Sequence, residues 1–303
     1  MKAKHLLSLH ALEPHELPDL LDLASQLKKR RGQPDHPQPL AGKSIAMIFS
    51  KSSTRTRLSF QVGITELGGY SMFLDRNDLQ LGRGESADDT ARVLSRYVHG
   101  VVIRAHSHEE VEKFTEACDV PVINALTDLY HPCQLLADLL TIREYAGRLE
   151  GVKVAYLGDG ANNMARSWAI AAALAGIELR IGAPDCYQID DDTLTNLNGP
   201  GKVITTTDPQ EAVNDVDFVY TDVWVSMGFE AEAEERLKIL APYQVNTELM
   251  RCAAKDAKLM HCLPAYRGKE VTAEVLDGPA SIIWDEAENR LHAQKAVLQR
   301  LIR

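Results

Sequence analysis

From Ser44 onward, short apolar runs of strand length alternate with longer segments whose apolar residues recur at helical spacing. Strands are expected at Ser44 to Phe49, Tyr70 to Leu74, Val101 to Ile103, Val120 to Asn124, Val152 to Leu157, Glu178 to Ile181, Lys202 to Thr205, Asp217 to Thr221 and Lys258 to His261. A last one, Ser281 to Trp284, should feed a terminal helix from Glu286 to Ile302. Helices are expected at Glu16 to Lys29, from the capping pair Ser86 and Asp89 through Val98, and at Ser107 to Ala117, Pro132 to Tyr145 and Met164 to Ala175. Two shorter ones are expected at Asp191 to Leu197 and Pro209 to Asn214. Such alternation implies parallel sheets with helices on both faces, because parallel neighbours need crossover connections. With 303 residues, 45% of them apolar, the chain can build two ordinary domains. The expected fold class is therefore α/β, with two doubly wound parallel-sheet domains and the active site in the cleft between them, beyond the carboxyl ends of the strands. The division falls at residues 1–147 and 148–285, and the terminal helix, 286–303, is expected to pack back onto the first domain.

Polar residues at strand ends carry the chemistry. After Phe49 comes Ser-Lys-Ser-Ser-Thr-Arg-Thr-Arg, and then Phe60, Ile64 and Leu67 at helical spacing with a stop at Gly68-Gly69. The hydroxyls of Ser52, Ser53 and Thr54 and the cations Arg55 and Arg57 are thus added to a helix N-terminus, whose unpaired N–H groups already favour an anion. Cations in a first turn oppose the helix dipole unless an anion compensates them, so this stretch reads as an oxyanion cradle. Arg104 ends another strand, and Asn124 ends the next. His131-Pro132-x-Gln134 opens a helix with proline at its first position. Alone, that motif reads as a capping histidine and a solvated glutamine. Beside the cradle and Arg104 it reads as part of a site, with His131 kept neutral by the positive helix end. Asp222 follows a strand on a loop with Trp224, Ser226, Met227 and Gly228, and suits either a ligand ammonium or the cap of the acidic helix beyond. His261-Cys262-Leu263-Pro264 ends a further strand; a lone buried thiol is the plain reading of Cys262. Arg290 is expected in the first turn of the terminal helix, another cation in want of an anion. Gly158-Asp159-Gly160-Ala161-Asn162-Asn163 lacks the third glycine of a dinucleotide loop.

The net charge of −10 argues against nucleic acid or an anionic membrane as partner. The five cysteines show no paired spacing, which points to reduced thiols, a cytoplasmic setting and no structural metal. Met1 to Leu12 is too short and polar for a signal peptide, and no run reaches membrane-spanning length.

The segments Ser53-Thr54-Arg55-Thr56-Arg57, His131-Pro132-x-Gln134, Asp222-x-Trp224-x-Ser226-Met227-Gly228 and His261-Cys262-Leu263-Pro264 occur in this order. Together with Glu288 to His292 they closely resemble the aspartate/ornithine carbamoyltransferase family, and its ornithine-specific branch in particular. The resemblance covers the whole chain. It implies transfer of a carbamoyl group from carbamoyl phosphate to L-ornithine, giving L-citrulline and phosphate, in arginine biosynthesis or, in reverse, citrulline breakdown. It implies no cofactor and no metal. The first domain would bind carbamoyl phosphate and the second ornithine. Ser53, Thr54, Arg55 and Thr56 would hold the phosphate, with Arg104, His131, Gln134, Cys262, Leu263 and Arg290 about the carbamoyl group. Gln80 would reach the phosphate from a neighbouring subunit, which implies a homotrimer or a multiple of trimers. Asn162, Asp222, Ser226 and Met227 would contact ornithine, and the loop from Trp224 to Ala233 would fold over it. Arg104, His131 and Cys262 would be the catalytic residues, Cys262 by orienting ornithine or, as a thiolate, helping to deprotonate it, rather than by covalent attack. The rivals are a carbamoyltransferase for another amine and a non-catalytic nucleotide-binding module.

Overall fold

The computed structural model describes residues 1–50, 53–75, 85–225 and 232–303. It divides into two compact units, Met1–Leu140 with Glu288–Arg303, and Thr141–Ala287.

In the first unit, β1 (Ser44–Phe49), β2 (Tyr70–Asp75), β3 (Gly100–Arg104) and β4 (Val122–Leu126) form a parallel sheet in the order β2-β1-β3-β4. β1 and β3 are buried almost throughout, as strands covered on both faces must be. The connecting helices are α2 (Thr54–Glu66), α3 (Ala87–Tyr97) and α4 (His108–Glu116); α1 (Glu16–Lys29) precedes the sheet and α5 (Pro132–Ala146) begins after it. Ala46, Ile48, Val101, Ile103 and Val122 pack with Ala91, Val111 and Phe114 into one core. The register sets Phe49 beside Arg104 and Arg104 beside Leu126. The segments that follow β1, β3 and β4 therefore leave the sheet at a common edge. The end of the terminal helix (Ile283–Leu301) belongs to this unit, held by Lys28 Nζ to Asn289 Oδ1 at 2.8 Å and Lys295 Nζ to Glu66 Oε2 at 2.7 Å.

In the second unit, β5 (Lys153–Leu157), β6 (Glu178–Gly182), β7 (Lys202–Thr206), β8 (Phe218–Thr221) and β9 (Lys258–His261) form a parallel sheet in the order β7-β6-β5-β8-β9. The strand order reverses between β5 and β8, the point where doubly wound sheets bind ligands. Leu157 pairs with Thr221 and Thr221 with His261, so three strands end level there. α6 (Asn163–Ala175) is capped by Asn162, whose Oδ1 accepts from Ala165 N–H at 2.8 Å, and is closed by Gly176 at φ 74°. Its small residues allow a close backbone approach: a Cβ on Gly201 would lie 2.0 Å from the Ala172 carbonyl oxygen. α7 (Asp191–Thr195), α8 (Pro209–Val213), α9 (Ala233–Leu240), α10 (Thr247–Met250) and α11 (Ala273–Leu276) complete the unit. No helix among the described residues is long and apolar enough to cross a membrane.

Two elements depart from the sequence reading. β4 begins at Val122, because Pro121 has no N–H to give and only its carbonyl pairs, with Val101 N–H. The strand runs on to Leu126, which puts Asn124 inside it rather than at its end. The expected strand at Ser281 to Trp284 is reduced to a single bridge from Ser281 to Leu259, and the helix already starts at Ile283. Short apolar runs fit either state, and Asp285 and Glu286 in the first turn favour the helix. Arg290 then lies well beyond the first turn, so the dipole argument for it does not hold.

Candidate active site

At the end of β1, Ser53 caps α2 by accepting the Thr56 N–H at 3.4 Å. Thr54 and Arg55 are exposed in the first turn and Thr56 is buried. The second arginine of the turn does not belong to the cradle: Arg57 stacks over the Phe73 ring at 3.7 Å and donates to Gln61. Thr56 Oγ1 instead collects guanidinium donors from elsewhere, Arg104 Nη1 at 3.4 Å and Arg290 Nη2 at 3.3 Å. Arg290 Nη1 also donates to Gln134 Oε1, and Gln134 Nε2 to Asp138 Oδ1 at 2.8 Å.

His131 immediately precedes α5 and its carbonyl accepts the Gln134 N–H at 3.1 Å. Its approach is fixed from inside β4, where the buried Asn124 donates through Nδ2 to the carbonyls of Leu7 and Tyr130. The imidazole is held neutral, its pKa well below the ordinary value, chiefly by burial and then by Arg290, Arg104 and Arg55. Burial and these cations act in the same direction as the positive helix end. Cys133 beside it is pushed up to about 12 by burial and stays a thiol.

In the second unit, Asn162 bonds the Tyr156 hydroxyl at 2.9 Å after β5. After β8, the buried Asp222 accepts Val223 N–H at 2.7 Å and the Cys262 thiol at 3.0 Å through Oδ1. Burial raises the Asp222 pKa, against the hydrogen bonds from the Cys262 thiol and the Val223 N–H. Cys262 is thus placed as a donor to this carboxylate. Asp222 does not cap the helix beyond, since the residue before α9 is Glu232. Leu263 follows at φ 58°, a left-handed conformation that costs a side-chain-bearing residue about 1–2 kcal/mol. The ligand atoms of Asp222, His261 and Cys262 lie within 4.8 Å of one another. Both ring nitrogens of His261 are already engaged, with Leu263 N–H and with Glu270, so the trio is not arranged for a resident ion.

Gln80, Ser226 and Met227, like Ser52 and most of the loop after Trp224, lie outside the described residues. Sequence reasoning missed the buried pair Asp159–Arg236 at 2.6 Å, whose guanidinium also donates to the Trp224 carbonyl. It also missed the buried carboxylates Glu270 and Glu286 around His261. Their positions carry no local pattern; only the fold brings them in.

Residues 4–144 match the family model of the carbamoyl-P binding domain of aspartate/ornithine carbamoyltransferase, and residues 150–301 match that of its Asp/Orn binding domain. The chain belongs to the aspartate/ornithine carbamoyltransferase family. Ser53 to Thr56, Arg104, His131 and Gln134 fall within the first match, and Asn162, Asp222, Cys262, Leu263 and Arg290 within the second. Ornithine carbamoyltransferase of Carboxydothermus hydrogenoformans is 52% identical over 307 residues, covering 99% of this chain and 98% of its own. The solved ornithine carbamoyltransferase of Pyrococcus furiosus superposes with a TM-score of 0.93 at 47% identity, covering 98% of this chain and 96% of its own. The anabolic ornithine carbamoyltransferase of Campylobacter jejuni gives a TM-score of 0.91 at 43% identity, covering 99% of each chain. These carbamoyltransferases fix the two-domain α/β fold of the chain.

Proposed function

We propose that this chain is an ornithine carbamoyltransferase, converting carbamoyl phosphate and L-ornithine to L-citrulline and phosphate. The observation that carries the reading is relatedness along the whole chain, 50% over 300 residues for the Methanoculleus marisnigri ornithine carbamoyltransferase, covering 99% of this chain and 97% of its own. In this reading the phosphate lies against the N-terminus of α2, at Ser53, Thr54, Arg55 and Thr56. Arg104, His131, Gln134 and Arg290 attend the carbamoyl group, together with Cys262 and Leu263 from the end of β9. Asn162 and Asp222 hold ornithine, as do Ser226 and Met227 of the adjoining segment.

Attack of the neutral side-chain amine on the carbamoyl carbon builds charge on the carbonyl oxygen. Thr56 is arranged to meet it. A hydroxyl has two acceptor sites and one hydrogen, and the acceptor sites of Thr56 take Arg104 and Arg290, so its hydrogen is left to donate. Neutral His131 supplies another donor. The arginines depress the pKa of the incoming amine and stabilise the departing phosphate. Asp222 holds the α-ammonium, leaving the other amine to react. Gln80 of a neighbouring subunit completes the phosphate site, in a homotrimer or a multiple of trimers in the cytoplasm. Following the Campylobacter jejuni relative, we place the activity in arginine biosynthesis.

A colorimetric citrulline assay with carbamoyl phosphate tests the reading. Ornithine is expected to give product and putrescine and N-acetylornithine none; the reverse preference would overturn the assignment of the amine substrate.

A further inference from the structure

We propose that Glu270 and His261 form a buried positioning pair that sets the backbone direction at Cys262–Leu263. The proposal rests on the ornithine carbamoyltransferase reading, in which those two residues touch the reacting groups. His261 ends β9, and its backbone N–H donates to Glu286 Oε2 at 2.8 Å. Its side chain turns back on its own loop, where Nδ1 accepts the Leu263 N–H at 2.8 Å. Because Nδ1 accepts, the ring proton sits on Nε2, which faces Glu270 Oε1 at 3.3 Å. The same carboxylate oxygen accepts the Tyr266 N–H, so Glu270 ties both ends of the segment from His261 to Tyr266. Glu270 is itself fixed: its carbonyl accepts the Val245 N–H at 2.9 Å, and Val271 bridges Val245.

Both side chains are almost wholly buried, 1% exposed for Glu270 and 0% for His261. Burying a carboxylate is costly, and an apolar residue would serve packing alone better. The hydrogen bonds of this carboxylate go to the His261–Tyr266 segment. Leu263 keeps a positive φ, a conformation that persists when surrounding contacts over-determine it. His261 supplies that contact on the amide of Leu263 itself, and the turn so held delivers the Cys262 thiol to Asp222.

The test is steady-state kinetics of Glu270→Ala, Glu270→Asp and Glu270→Gln, with inorganic phosphate affinity measured by calorimetry. Gln offers an oxygen to both donors and is expected to keep kcat and both KM values within about threefold. Ala frees the turn, and kcat should fall on the order of 10²-fold, the effect of misplacing a reacting group by about 1 Å. Phosphate affinity should stay within about twofold. Asp keeps the charge but withdraws the oxygen, and covers the case in which Ala does not fold; its kcat should fall at least about tenfold. A purely structural role predicts lower thermal midpoints with unchanged kcat and KM well below them, and that result for Ala or Asp would overturn the proposal. A wild-type enzyme that makes no citrulline would overturn the function reading instead.

Discussion

At the scale of the residue, the cradle separates two arginines that look equivalent in sequence. Arg55 and Arg57 lie in one turn of α2, yet Arg57 spends its guanidinium on Phe73 and Gln61. Arg57→Ala is therefore expected to leave carbamoyl phosphate affinity within a few-fold of the wild type, at some cost in packing against Phe73. Arg55→Ala should weaken it on the order of 100-fold or more, as loss of a charge-assisted contact does. Calorimetric titration of both variants decides the matter, and equal losses would count against the division. Thr56 is the second residue whose role depends on its neighbours. Thr56→Val keeps the shape and removes the hydroxyl, so kcat should fall on the order of 10²-fold, the usual consequence of removing one oxyanion donor. A rise confined to the KM for ornithine would place Thr56 outside the reacting centre.

At the scale of the element, the terminal helix brings Arg290 to Thr56 and Gln134, and its anchor is asymmetric. Lys295 is fully buried and donates to Glu66, with His36 Nε2 also within 3.3 Å; Glu66 is partly exposed and has a second cation, Arg31, at 2.9 Å. Lys295→Met leaves Glu66 with a partner and keeps an apolar stem against Gly63. Glu66→Ala leaves a buried ammonium without its carboxylate, at a cost of about 3 kcal/mol. Differential scanning calorimetry should show Glu66→Ala as the less stable variant, and the opposite order would mean that the pair contributes packing and not charge compensation. Elements of this kind mark where sequence reading stops. Strands and helices are legible because burial on both sheet faces writes continuous apolar runs, and polar residues at strand ends pick out the cradle, Arg104, His131 and Asp222. What tells Arg57 from Arg55 is an aromatic ring on the next strand. Glu270 and Glu286 acquire meaning only once β9 brings His261 between them. The terminal strand failed because its apolar run, Ile282-Ile283, is buried equally well at the start of a helix.

At the scale of the whole molecule, the histidines make stability depend on pH. His5 and His292 are lowered to about 4, and His10, His108 and His131 are lowered too, in each case first by burial. A histidine whose folded pKa is depressed takes up its proton more readily in the unfolded chain, beginning near 6.5, so acid favours unfolding from there downward until the folded pKa is reached. Asp222, with its pKa raised by burial, works in the opposite sense. The carboxylates that ion pairs hold low, such as Glu66 and Asp277, lose their contribution only below their unfolded values of 4.5 and 3.8. Between pH 7 and about pH 5 the midpoint of thermal unfolding should therefore fall steadily, by about 5 °C or more. His5 allows the cause to be isolated. Its Nδ1 accepts the Val122 N–H at 3.1 Å, where the N-terminal segment pairs with β4. In His5→Asn the amide oxygen can accept the same bond without titrating. The midpoint of this variant should stay close to the wild type at pH 7 and fall less steeply in acid. Parallel curves for the two proteins would remove His5 from the account, and a wild-type midpoint flat from pH 7 to pH 5 would remove these histidines altogether.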